Sequence, residues 1–419
     1  MIISVKKMWS ILSHKDRIYA LVLFVFMLIG MILEMLGIGL VIPLITVLMQ
    51  EDLAIKYPVV QSLLNYFGNP NQATLITYSM IVLVGVYMIK NLFLAFLVWK
   101  QRYFSYRVRT DLGHRLFSNY LYQPYAFHLQ HNSAQLIRNV SGEVSILISY
   151  GINSVLIIAT EALIILGILG MLIAIEPAGA LIIIITVGSF SLLFYWLLRS
   201  KVASWGKERQ YHDGMLIQHL QQGLGGVKDT KVIGCEDSFV DGYDFHNKKS
   251  SKIAQWEQTL QALPRLWIEL IAIIGLVILV VSLNQGAGKD VSNILPVLGL
   301  FAAAAFRLMP SLSRVISSLH AFQFSQPVID ILEKEIKLER EVQAVQMLNQ
   351  PGKFDGKIEL KNIDFSYPAS KKKILHDISI IINHNESVGF IGKSGSGKST
   401  IVDIILGLLS PDSGEVIVD

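Results

Sequence analysis

The chain has 419 residues, 52% of them hydrophobic and 16% charged, against about 25% charged in an ordinary soluble domain. A single cysteine, Cys235, excludes an internal disulfide, and no Cys/His cluster has metal-ligand spacing. The formal charge of +4 is modest and spread over the segments between apolar runs, which argues against nucleic acid as a partner.

In chain order, apolar runs at 18–49, 74–99, 144–174, 178–198, 264–283 and 293–322 are each long enough to cross about 30 Å of hydrocarbon as a helix. Six spans are expected. Lys6, Lys7, Lys15 and Arg17 precede the first run, but that run is too long for a secretory signal and has no small-residue cleavage site, so it reads as uncleaved. The loops after spans one, three and five carry two basic residues, Lys56 and Lys289, whereas Lys15, Arg17, Lys100, Arg102, Arg199 and Lys201 crowd the opposite ends. The positive-inside rule therefore puts the N-terminus, the segments 100–143 and 199–263, and everything after span six in the cytoplasm of a multi-pass plasma-membrane protein. Both long segments keep helical periodicity, so the spans should continue into the cytoplasm as stalks.

The charged stretch at 333–343 reads as a solvated amphipathic helix, and Pro351 with Gly352 ends it. The resulting division is a transmembrane domain at 1–323, a linker helix at 324–352 and a new domain from 353. Short β-rich runs follow at 358–368, 378–382, 387–391 and 415–419, with a helix at 398–409. The fold class is an α-helical membrane protein followed by the start of an α/β nucleotide-binding domain.

The sequence GKSGSGKS at 392–399 fits GxxxxGK[ST] between an apolar strand and an apolar helix. In that context Gly392, Gly395 and Gly397 let backbone N–H groups turn inward around a phosphate, with Lys393, Ser394 and Ser396 completing the loop. Lys398 should reach the β- and γ-phosphates of ATP, Ser399 should ligate Mg²⁺, and Thr400 continues the helix.

The domain resembles the N-terminal part of ABC ATPase domains, and the whole chain resembles the half-transporter plan of type I ABC exporters. In that family an aromatic residue upstream of the phosphate loop stacks on adenine, and FSYP puts Tyr367 in its place; the alternative is an ordinary strand tyrosine. GGVKDTKVIGCEDSF at 225–239 looks like the second cytoplasmic loop's coupling segment, and 124–133 is in position for the first, although either could be a basic loop facing anionic lipid. The resemblance implies a glutamine loop, an LSGGQ signature, a Mg²⁺-holding aspartate, a catalytic glutamate and a switch histidine, none of which is present in the 419 residues. The chain alone is therefore expected to bind ATP without sustained hydrolysis, as an incomplete reading frame. An intact form should pair with a second half-transporter subunit, as a homodimer. A non-hydrolysing nucleotide-binding membrane protein and a membrane-anchored P-loop kinase are the rival classes.

Glu34, Lys90, Glu161 and Arg307 fall inside spans, where ionisable groups are costly. Arg307, Ser311, Arg314 and Ser318 share one helical face of span six, beside Pro310. Two guanidinium groups on a cavity wall suit phosphate or pyrophosphate, and the surrounding sequence FAAAAFRLMPSLSRVISSL resembles bacterial exporters that flip lipid-linked oligosaccharides. The expected substrate is amphipathic and lipid-linked, ahead of drugs or peptides. The competing reading pairs Arg307 with Glu34 or Glu161, lets Arg314 snorkel, and makes Lys90 structural.

Overall fold

A computed structural model of the chain describes residues 2–40, 72–175, 177–285, 291–338, 356–367 and 372–418. The end of the first expected span, Lys56, Lys289 and the linker from 339 to 355 lie outside the described residues. Two compact units are present: residues 1–113 with 141–334, and residues 114–140 with 335–419.

The first unit is helical. It contains α1 (Ile2–Ile11), α2 (His14–Gly39), most of α3 (Gln72–Leu121), the greater part of α5 (Ser133–Ile175), then α6 (Pro177–Gly225), α7 (Val227–Ile233), α8 (Glu236–Gln285), α9 (Val291–Phe324) and most of α10 (Gln326–Ile336). The short α4 (Tyr125–Gln130) belongs to the second unit. Among the described residues α2, α3 from Ile76, α5 and α6 are long and apolar enough to cross a membrane. The segments read as spans five and six fall in α8 and α9.

Only 11% of the most apolar stretch of α3 and 6% of that of α6 is buried, so these helices keep apolar side chains on faces with no protein neighbour, as lipid-facing helices do. With 50 residues in α3 and 50 in α8, each extends about 75 Å at 1.5 Å per residue, more than twice the hydrocarbon thickness. Such lengths accommodate the expected stalks.

Ile38, Ile164, Ile168, Leu172, Ala180, Phe301 and Leu308 bind α2, α5, α6 and α9 into one apolar cluster, and Val202, Ile253, Leu260 and Phe324 close a second between α6, α8 and α9. A Cβ on Gly206 would lie 2.3 Å from the Phe324 carbonyl oxygen, so the close approach of α6 to the end of α9 requires glycine there. Two π-helical turns, Asn139–Glu143 and Leu147–Ile152, interrupt α5. The stretch read as a solvated helix from 333 begins inside α10, which buries Val328, Ile329 and Leu332 and whose Asp330 accepts from Lys7 at 2.6 Å.

In the second unit, β1 (Lys357–Ser366), β2 (Lys373–Asn383) and β3 (Ser413–Val418) form an antiparallel sheet in the order β2-β1-β3, with α11 (Lys398–Ile405) packed on it. Leu360, Ile363 and Phe365 of β1 all point into one core with Leu375, Ile401, Ile404 and Leu409. The three-residue step from Leu360 to Ile363 would reverse the face in a regular strand. A register shift there, with Asn362 at φ 47°, restores it.

One expected strand is absent. Residues 387–391 have no strand pairing, and Val388 and Ile391 are exposed. Apolar, β-branched composition favours a strand only where neighbours accept its backbone groups, and the three-stranded sheet offers this segment no partner. The helix expected to reach 409 ends as α11 at Ile405, with Gly407 at φ 71° just beyond it.

Candidate functional site

The phosphate loop lies between the unpaired segment and α11. Gly395 and Gly397 have φ of 81° and 86°, the left-handed region that glycine enters without steric cost. Gly397 is also buried, and a Cβ there would sit 2.7 Å from Leu375 Cδ2, while one on Gly392 would sit 2.8 Å from Ser396 Oγ. The loop therefore forms a narrow cradle that side chains at 392 and 397 would fill. Lys398 Nζ folds back into it and donates to the carbonyls of Gly392 at 2.9 Å and Lys393 at 2.8 Å. Ser399 is exposed at the first turn of α11, and Thr400 is buried. Lys393, Ser394 and Ser396 are exposed along the loop.

These features fit a nucleotide phosphate with its magnesium. Glycines at these positions would admit a phosphate, Lys398 would supply positive charge, and the Ser399 hydroxyl would reach the metal. Tyr367 packs edge-on against Phe365 at 5.1 Å between ring centres, and its hydroxyl lies 3.0 Å from Thr400 Oγ1. The aromatic residue expected to meet the base is thereby tied to the helix that follows the phosphate loop.

In the helical unit the intramembrane charges are paired. Glu34 Oε1 lies 2.9 Å from Arg307 Nη2, and Glu34 Oε2 lies 3.4 Å from Lys90 Nζ. Glu161 Oε1 meets Arg314 Nε at 2.5 Å. Ser311 is fully buried and accepts from Arg307 Nη1 at 3.4 Å; Ser318 is buried as well.

Three cavities open along this region. One of about 510 Å³ is lined by Glu34, Gln101, Thr160, Glu161, Arg307 and Arg314, among others. A second, about 680 Å³, is lined by Tyr150, Gln261, Arg265, Arg314 and five serines, Ser149, Ser154, Ser313, Ser317 and Ser318, among others. The third, about 550 Å³, lies between Arg265, Glu269, Phe306, Pro310, Ser313 and Arg314. Arg314 lines all three, and Ser311 lines none of them.

Comparison with protein families places this arrangement. The model described as the ABC transporter transmembrane region matches residues 17–305, and that described as ABC transporter matches residues 375–419. The chain belongs to the ABC transporter family.

Among curated relatives of this ABC transporter is an ATP-dependent lipid A-core flippase of Nitrosococcus oceani, 21% identical over 342 residues, which cover 81% of this chain and 56% of the relative. Flippases of the same description from Thiobacillus denitrificans and Francisella tularensis are 22% and 24% identical, with 81% and 86% of this chain covered. The chain spans 56–60% of the length of these three relatives.

Arg265 is a cavity residue that sequence reading missed. It sits at the start of the fifth apolar run, next to Pro264, where it looks like a flanking charge. Its helical offset of four from Glu269 was the available signal, since both line the third cavity.

Of the two expected coupling segments, the first contains α4, whose Ala126 packs against the apolar core of the second unit. The second contains α7, ended by Gly234 at φ 73°, with Val232 and Ile233 largely exposed and Lys231 paired to Glu236 at 2.9 Å.

Proposed function

We propose that the protein is the ATP-binding, membrane-spanning subunit of an exporter or flippase that moves an amphipathic, anionic lipid-linked substrate from the cytoplasmic side outward. The observation that carries this reading is the set of cavities among the helices lined by Arg265, Arg307 and Arg314, one of which sets Arg265 and Arg314 among five serines. Arginine presents a planar fork to phosphate oxygens, and serine hydroxyls satisfy a polar headgroup that apolar walls would exclude. The names of the lipid A-core flippases support the same class of cargo.

On this reading Mg-ATP binds through the loop from Gly392 to Ser399 with Tyr367 against the base, and Glu34, Glu161, Arg307 and Arg314 belong to the substrate region, with buried Ser311 holding Arg307 from outside the cavities. The protein resides in the plasma membrane with its nucleotide-binding part in the cytoplasm and works with a second half-transporter, most simply another copy. ATP-driven closure would turn the cavities outward through the coupling segments. Conversion to ADP requires groups that orient water, which the phosphate loop does not supply.

The test is binding to the chain in phosphatidylcholine nanodiscs, with undecaprenyl pyrophosphate as the anionic probe and undecaprenol as its uncharged counterpart. A clear preference for the pyrophosphate supports the reading. Equal binding of the two lipids rejects it.

A further inference from the structure

Glu34 differs from Glu161 in one respect that matters for recognising an anion. Glu161 faces one cation, Arg314, and the pair is neutral. Glu34 faces two: Arg307 on one oxygen and Lys90 on the other. One negative and two positive groups leave a single positive charge in a region where charge is expensive. Glu34 and Arg307 line the 510 Å³ cavity, whereas Lys90 does not. Lys90 is buried and meets Glu34 without itself lining that cavity.

The place of Lys90 is built rather than incidental. Its ammonium lies 4.1 Å from the centre of the Tyr87 ring, a favourable cation–π distance. The Tyr87 hydroxyl in turn donates to the Gly37 carbonyl at 3.4 Å. Gly37 lies one turn beyond Glu34 on α2, and a Cβ there would stand 3.4 Å from Lys90 Cδ and 3.6 Å from its Nζ. The lysine side chain thus packs directly against the α2 backbone at Gly37.

We infer that Lys90 is a positioning residue for substrate recognition: without lining the cavity it neutralises Glu34 and so leaves the Arg307 guanidinium available to an anionic headgroup. This rests on the reading that Arg307 meets such a headgroup. Were Glu34 paired with Arg307 alone, turning the guanidinium toward a phosphate would strand a buried carboxylate, and the pair would present no net charge to attract one. With Lys90 in place the carboxylate keeps a partner throughout. Arg307 is the more exposed of the two cations, 23% against 8% for Lys90. Its Nε has no partner among the described residues, so it holds donor capacity in reserve.

The experiment uses the two nanodisc probes above on four variants. Lys90→Met, which keeps the length and loses the charge, should weaken binding of undecaprenyl pyrophosphate by about tenfold or more and leave undecaprenol unaffected. Lys90→Arg should bind like the parent. The decisive variant is Lys90→Met with Glu34→Gln, which removes one charge of each sign and returns the wall to a single positive group. It should recover most of the lost affinity for the pyrophosphate, and a purely structural role for Lys90 is told apart by undecaprenol, whose binding would then fall with that of the pyrophosphate in Lys90→Met. Glu34→Gln alone retains Lys90 and should bind the pyrophosphate at least as tightly as the parent, a check that stands even if Lys90→Met fails to assemble. Parent-like binding by Lys90→Met, no recovery in the double variant, or weakened binding by Glu34→Gln overturns the inference. Loss of the parent's own preference for the charged probe would instead overturn the reading on which it rests.

Discussion

Replacing each of the two α9 arginines, Arg307 and Arg314, by alanine separates their structural roles, because their carboxylate partners are left in different situations. Arg314→Ala strands Glu161, which is 10% exposed and whose Oε2 already has no hydrogen-bond partner among the described residues. An uncompensated buried charge costs about 3–5 kcal/mol; access from the cavity that both residues line should reduce this to about 2–3 kcal/mol. Arg307→Ala leaves Glu34 with Lys90 at 3.4 Å and removes the repulsion between two cations that share one carboxylate. Its net cost should be about 1 kcal/mol, the scale of one lost charge-assisted hydrogen bond less that relief. The assay is reversible unfolding in mixed micelles, titrated with sodium dodecyl sulfate and followed by tryptophan fluorescence. Adding Glu161→Gln to Arg314→Ala should restore about half or more of the loss, since a neutral amide tolerates burial better than a carboxylate. Equal losses for the two arginines, or a larger loss for Arg307→Ala, would refute the charge accounting.

Further expectations follow from the two units. Lys398→Ala removes both donations to the Gly392 and Lys393 carbonyls and the mobile charge of the loop, so labelling by a photoreactive ATP analogue should fall at least about tenfold at matched folding. Val232→Cys in a Cys235→Ser background places a thiol at a site 80% exposed on α7; it should resist an impermeant thiol reagent outside intact cells and react once the membrane is opened. Asp364 accepts from Lys373, the Asp377 backbone N–H and Ser413, and these bonds hold its carboxyl down at about 2, the Lys373 bond contributing most. Because the folded value lies below the unfolded one, its stabilisation is complete above about pH 4 and is lost as pH falls toward 2. Asp364→Asn should flatten acid unfolding of the sheet in that window, seen by circular dichroism.

The phosphate loop was legible because its function is local: glycine spacing, one lysine and one hydroxyl sit within eight consecutive residues, and the structure gives Gly395 and Gly397 the positive φ that the motif demands. Long apolar runs were legible for a similar reason, each carrying its own length and hydropathy. The Arg307–Glu34 pair was one of the expected alternatives and is present, but Lys90 as a second cation on Glu34, 56 positions away, was not legible, since helix packing that no periodicity encodes brings it there. Sharing a helical face was also a weaker guide than expected. Ser311 lies on the stripe with Arg307 and Arg314 yet is buried between helices, while Ser313 and Ser317, off the stripe, line a cavity. Segment 387–391 had the composition of a strand, but composition does not supply a neighbour.

The most direct test of the account is lipid movement by the assembled transporter in proteoliposomes. A fluorescent pyrophosphate-linked polyprenol should cross to the other leaflet in the presence of Mg-ATP, and the rate should fall to the lipid-only background without nucleotide or in Lys398→Ala. Movement at the same rate without ATP, or equal movement of the uncharged polyprenol, would contradict it.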